Sequence, residues 1–268
     1  MIFVIFNYMV ELNTIYNENC LDTMKKMPDD FVNLVVTSPP YDDLRRYNGY
    51  SFDFEPIAKE LYRVLKPGGV VVWVVNDSTK DGSESGTSFR QALYFKEIGF
   101  NLNDTMIWMK TNPMPQVSQP RYNQCFEYMF VFSKGKPTTF NPIKVPCKCG
   151  GQYYNSTAKN MDAETGRHEL SYNVNLEKNM DNIWQIAVSQ NKTSHPAVFP
   201  FELAEKHVLS WSNQNDIVYD PFLGSGTTAL AAYKNNRFYI GSEISNEYAE
   251  ICKSRITDMY NHKEDSLW

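Results

Sequence analysis

Short apolar runs rich in β-branched residues alternate along this chain with segments whose apolar residues recur every three or four positions. Residues 32–36 form the first such run. It ends in Thr37-Ser38-Pro39-Pro40, and because prolines cannot donate to a ladder it reads as a buried parallel strand stopped at its C-terminal end. Residues 55–65 carry Ile57, Leu61, Val64 and Leu65 at helical spacing and run into the breaker Lys66-Pro67-Gly68-Gly69. Residues 70–75 read as a second buried strand, and 88–98 as a helix closed by Gly99. Residues 104–110 and 127–133 read as two strands, antiparallel neighbours across the loop between them. Farther on come a helix at 200–210, a strand at 217–219, a helix at 227–234, a strand at 238–241 and a last helix at 246–260. The alternation predicts an α/β fold: a mostly parallel sheet with helices on both faces.

The span 134–194 breaks this rhythm. It is rich in Asn, Lys, Thr, Gly and Tyr, has no sustained period, and is too long for an ordinary connection, so it reads as an irregular functional insertion. The expected organisation is one domain made of 1–133 and 195–268, interrupted by 134–194. Charge is divided the same way. The whole chain carries −5, yet the insertion holds eight basic residues (Lys134, Lys136, Lys144, Lys148, Lys159, Arg167, Lys178, Lys192) against five acidic ones, about +3. Phosphate contacts need local rather than global positive charge, so a basic insertion on an acidic body is compatible with a nucleic-acid partner.

Composition removes several classes. With 42% hydrophobic and 21% charged residues the chain is an ordinary globular protein, and no apolar run approaches the roughly 20 residues that span a bilayer. The apolar opening at 1–6 is short and lacks a basic leader, so it reads as an edge strand or an upstream start, with Met9 an alternative start, rather than a signal peptide. Five scattered cysteines (20, 125, 147, 149, 252) argue for a reducing, cytoplasmic setting over a disulfide framework. Cys147-Lys148-Cys149 is half a zinc pattern that only His168 and His195 could complete, and no metal is expected.

Two segments carry chemistry. Asp220-Pro221-Phe222-Leu223-Gly224-Ser225-Gly226-Thr227 lies between a predicted strand and a predicted helix, where glycines let the backbone turn tightly and approach a ligand. Glu243 falls at the end of the next strand, 17 residues after Gly226, where a carboxylate can accept from ribose hydroxyls. No Gly-Lys-Ser/Thr follows, so this is not a phosphate loop. It reads as a nucleoside site, against the plain alternative of a structural strand-to-helix turn. The second segment is Ser38-Pro39-Pro40-Tyr41. Its serine hydroxyl and a proline carbonyl can accept the two hydrogens of an amino group, and the tyrosine ring offers a stacking face for a planar base. A Pro-Pro turn with Tyr41 merely packed is the alternative.

Taken together and in this order, the two segments resemble the amino-methyltransferase family that modifies cytosine N4 or adenine N6 in DNA, in its beta arrangement: catalytic segment first, target-recognition insertion in the middle, cofactor segment late. Leu65-Lys66-Pro67-Gly68-Gly69, Val74-Val75-Asn76-Asp77 and His195-Pro196-Ala197-Val198-Phe199-Pro200 match further family segments. The resemblance implies a Rossmann-like methyltransferase fold and S-adenosylmethionine as cofactor. Asp220, Phe222, Gly224, Ser225, Gly226, Thr227, Glu243, His195, Pro196 and Ala197 would hold it, and Ser38, Pro39, Pro40 and Tyr41 would hold the target base. It also implies double-stranded DNA as partner, and it leaves room for a companion restriction endonuclease and a homodimer. Arg45, Arg46, Arg121, Lys144 and Lys148 are the candidate DNA contacts, while Arg121-Tyr122-Asn123 and Phe126-Glu127-Tyr128 are candidates to line the base pocket, with ordinary strand packing the alternative for Phe126 and Tyr128. The chain departs from the family at Glu18-Asn19-Cys20, where a Gly-Asp pair is usual. In this family serine at the first position of the tetrapeptide is commoner with cytosine N4 activity, so cytosine is favoured over adenine. Three rivals are weaker. Pro146-Cys147 evokes a cytosine C5 nucleophile but sits in the insertion, away from any strand end. RNA and protein-glutamine methyltransferases place their glycines before the Pro-Pro-Tyr loop. A silent DNA-binding relative would show damage in the key segments, and none is evident.

Overall fold

A computed structural model describes residues 10–40, 52–113, 120–159, 167–188 and 200–265. They form two compact units, one of 1–141 with 182–268 and one of 142–181. Tyr41, Arg45, Arg46, His195, Pro196 and Ala197 lie outside the described residues.

The larger unit is built on an eight-stranded sheet. Its strands are β1 (Thr14–Tyr16), β2 (Val32–Thr37), β3 (Leu65–Val75), β6 (Asn101–Lys110), β7 (Phe126–Ser133), β12 (Ile183–Ile186), β13 (Ile217–Asp220) and β14 (Phe238–Ser242). β4 (Thr79–Lys80) and β5 (Ser83–Glu84) make a small separate hairpin. The order across the sheet is β1-β14-β13-β2-β3-β7-β6-β12. Among the described strands of this sheet only β7 runs against its neighbours. The antiparallel pairing expected for 104–110 and 127–133 is present, with Ile107 opposite Tyr128.

Burial explains why the central strands read as unbroken apolar runs. In β3, Val71, Trp73 and Val75 face a core shared with Ile57, Leu61 and Phe95, while Val70, Val72 and Val74 are equally buried on the other side. Helices α1 (Cys20–Lys26), α2 (Phe54–Val64) and α3 (Thr87–Glu97) pack together over one face. Helices α4 (Phe201–Trp211), α5 (Thr227–Lys234) and α6 (Asn246–Asp265) cover the other. The helix after β13 and the helix after β2 thus lie on opposite faces. That makes the gap between these adjacent strands a topological switch point, where open α/β sheets bind ligands beyond the strand ends.

Three features differ from the expectation. The breaker Lys66-Pro67-Gly68-Gly69 lies inside β3, because the register of β2 on β3 jumps between Val32↔Leu65 and Leu34↔Val70 and takes the extra residues into an irregular bulge. β1 and α1 have no counterpart in the reading, since three residues of strand and two turns of helix are too short for a period to register. The span expected to be irregular contains strands. β12 within it joins the main sheet, with Trp184 opposite Trp108.

The smaller unit is therefore narrower than 134–194 and is built of hairpins. β8 (Lys144–Pro146) pairs antiparallel with β11 (Glu177–Asn179), and β9 (Tyr153–Lys159) pairs antiparallel with β10 (Arg167–Asn173). Tyr153, Tyr154, Asn155, Ser171, Tyr172 and Asn173 are all exposed, so no buried face imposed an alternation that could be read beforehand.

Candidate active site

β2 and β13 are hydrogen-bonded neighbours and end at the same edge of the sheet, which brings the two chemical segments together. The Thr37 hydroxyl donates to Asp220 Oδ1 at 2.6 Å, joining strand ends 183 residues apart. The Thr228 hydroxyl on α5 donates to the Val36 carbonyl at 3.0 Å, a second tie across the switch point. Beyond Thr37 the chain turns out of the sheet with Pro39 buried and Ser38 and Pro40 half-buried.

Asp220 is wholly enclosed. Its Oδ1 also accepts the Phe222 backbone N–H at 3.0 Å, while Oδ2 is buried with no donor on it among the described residues. Burial away from water outweighs the hydrogen bonds and pushes the carboxyl up to about 6. Glu243, at the end of β14, accepts the N–H of Gly224 on Oε2 and of Ser245 on Oε1, both at 2.8 Å. Each oxygen keeps a further acceptor direction. Burial raises its pKa too.

The glycine loop is latched at nearly every residue. The Leu223 N–H donates to the Ser242 carbonyl at 2.9 Å, and the Arg255 guanidinium of α6 donates to both the carbonyl and the hydroxyl of Ser225. Gly226 holds φ at +88°, and a Cβ there would lie 2.1 Å from Cys252 Sγ, so no side chain fits. Ser225 and Thr227 are buried at the start of α5. Phe222 is half-buried, its ring edge-on to Phe52 at 5.5 Å between centroids.

Most of the other sequence candidates are held by contacts of their own. Arg121 is ion-paired with Glu84 and donates to Thr79, both on the β4–β5 hairpin. Lys144 donates to Asn179 within the smaller unit, and Lys148 is exposed there. Asn19 caps α1 by accepting the Leu21 N–H at 2.9 Å. Asp77 is occupied by Ser85 and Ser88 at the start of α3. In the base-pocket group, Glu127 is buried and paired with Lys110 at 2.7 Å, and Tyr128 stacks on Phe130. Sequence reading missed the bridging roles of Thr37, Thr228 and Arg255. A threonine at a strand end was a faint signal for the first, while nothing local marked Arg255.

Comparison with known proteins agrees with this geometry. Residues 32–254 match the family model of N6/N4 DNA methylases. The chain is 54% identical over 244 residues to the orphan methyltransferase M.BamHII of Bacillus amyloliquefaciens, covering 85% of this chain and 89% of that one. It is 33% identical to the type II methyltransferase M.BglII of Bacillus subtilis, covering 90% and 68%. The fold resembles the cytosine-N4-specific PvuII DNA methyltransferase with a TM-score of 0.68 over 95% of both chains, at 22% identity. It also resembles the M1.HpyAVI–SAM complex with a TM-score of 0.60 at 26% identity, covering 90% of this chain and 98% of that one. With catalytic segment, switch point and glycine loop assembled in the beta order, the chain belongs to the amino-methyltransferases of DNA and is an S-adenosylmethionine-dependent DNA methyltransferase.

Proposed function

We propose that the chain methylates the N4 amino group of cytosine, flipped out of double-stranded DNA, at the edge where β2 and β13 end. The observation that carries this reading is the tie between Thr37 and Asp220, which sets Ser38-Pro39-Pro40 beside the glycine loop. S-adenosylmethionine supplies an electrophilic methyl group on a sulfonium. Its cationic amino group suits Asp220 Oδ2, which has no donor among the described residues, and its ribose hydroxyls suit the Glu243 carboxylate that the Gly224 and Ser245 N–H groups hold at the end of β14. Phe222, Gly224, Ser225, Gly226 and Thr227 shape the same pocket. By the resemblance, His195, Pro196 and Ala197 complete it.

The Ser38 hydroxyl and the Pro39 carbonyl accept the two amino hydrogens. This draws the nitrogen toward tetrahedral geometry and aims its lone pair at the methyl carbon, with Tyr41 stacking on the base. Attack by the amino nitrogen would be direct, the sulfonium S–CH3 bond breaking as the N–CH3 bond forms and S-adenosylhomocysteine leaving, with the proton then lost to water, so neither a covalent enzyme intermediate nor a strong base is required. Cytosine is preferred over adenine because the tetrapeptide opens with Ser38 rather than an aspartate.

In the 142–181 unit, Tyr153, Asn155, Ser171 and Asn173 share one face of the β9–β10 hairpin by register, a set of donors and acceptors suited to base edges in a major groove. That unit is the target-recognition element of this reading, with Lys144 and Lys148 on phosphates. Nucleoside mass spectrometry of DNA treated with the protein tests the base: N4-methylcytosine is expected, and N6-methyladenine would overturn the choice.

A further inference from the structure

α6 places a cation behind the glycine loop. Arg255 Nη1 donates to the Ser225 carbonyl and, at 3.0 Å, to the Ser225 hydroxyl, 30 residues away. The side chain is partly buried, and among the described residues it forms no ion pair with a carboxylate. Removing a guanidinium from water without an opposite charge is costly, so its two bonds to one loop residue have to be worth that cost. They fix the peptide plane between Ser225 and Gly226. One turn earlier on the same helix, Cys252 presses against Gly226, the residue held at φ +88° just before α5 begins.

We propose that Arg255 is a positioning residue for the cofactor: it pre-orders the Ser225-Gly226 corner so that cofactor binding does not have to order it. The inference rests on the reading that this loop holds S-adenosylmethionine. A loop already in its bound conformation avoids the ordering cost at binding, which appears in cofactor affinity and KM rather than in kcat.

The test is calorimetric binding of S-adenosylhomocysteine to the unmodified protein and to R255A, R255K, S225A, R255A/S225A and D220N. Steady-state kinetics on DNA and heat unfolding without ligand accompany it. R255A is expected to weaken binding and raise KM for S-adenosylmethionine about tenfold with kcat changed less than about threefold, and R255K to recover part of the loss. S225A is expected to cost less in the R255A background than alone, since the two side chains act through one bond. The proposal is overturned if R255A binds normally, if R255A lowers kcat with KM unchanged, or if it lowers only the unfolding temperature. Should R255A fail to fold, R255K decides: normal affinity in that variant also overturns it. D220N separates the two levels, because unaltered binding there removes the loop reading itself, whereas weakened binding there with normal R255A and R255K removes only this inference.

Discussion

Asp220 keeps one carboxylate oxygen buried with no donor on it among the described residues, and burial has pushed its pKa up to about 6. On the proposed reading a cationic amino group completes it, and only the ionised carboxylate attracts that cation. Cofactor affinity is therefore expected to be level above pH 6 and to fall as pH drops through it, by up to about tenfold per unit. Calorimetry across pH 5 to 7.5 checks this, and Asp220→Asn should bind weakly with no such slope. At Gly226 the constraint is steric. Gly226→Ala is expected to destabilise the fold by about 2 kcal/mol through overpacking against Cys252 and a strained φ, and to weaken cofactor binding. Cys252→Ala in the same chain should restore part of the melting temperature, because the nearest atom, the Cys252 sulfur at 2.1 Å, is then gone. The glycine turn after β13 and the carboxylates at the ends of β13 and β14 could be read from the sequence because a tight strand-to-helix turn and the strand ends beside it need those residue types. Thr37, Thr228 and Arg255 were not, since each acts on a partner far away in the chain.

Elements here are held by what they bury. Thr37→Val keeps the volume of a strand-end residue but deletes the donor to Asp220 Oδ1, so β2 and β13 lose the side-chain tie at their C-terminal ends while the Asn33–Ile217 bond at the other end stays. A loss of about 1–3 kcal/mol in urea unfolding is expected, together with a higher KM for the cofactor. α4 offers a second case. His207 is completely buried beside Trp184, and burial lowers its pKa to about 3, the nearby Lys206 charge adding to the effect. Above pH 6.5 the ring is neutral both folded and unfolded, and no stability depends on pH through it. Between about 6.5 and 3 only the unfolded chain takes up the proton, so stability falls as the solution is acidified, by about 2 kcal/mol at pH 5 relative to pH 7. In His207→Leu that part of the acid slope should vanish, whatever the substitution costs at pH 7. Most of the buried strands and amphipathic helices could be read from the sequence within a residue or two, but β3 and β6 begin five and three residues earlier than the pattern indicated and α6 runs five residues further. The elements missed were β1, α1, the β4–β5 hairpin, β12 and the hairpins of 142–181, most of them too short to leave a period to read.

At the scale of the whole molecule, two compact units divide the work in the proposed function. Replacing residues 142–181 with a short glycine-serine linker is expected to leave the sheet folded and cofactor binding within about threefold, because no strand of the main sheet lies in that span. Methylation at the native target sequence should be lost, as read by methylation-aware sequencing; retention of the same target pattern would place recognition elsewhere. By itself the sequence determined the alternation that makes a parallel sheet, the residues at two strand ends and their order along the chain, since these depend on near neighbours and on residue chemistry. Tertiary structure alone decided that those strand ends lie side by side, that Thr37 meets Asp220, that a β12 hidden in the insertion joins the sheet, and that Arg255 braces a loop 30 residues before it. Such contacts follow from which apolar faces bury against which, and no local pattern records that choice.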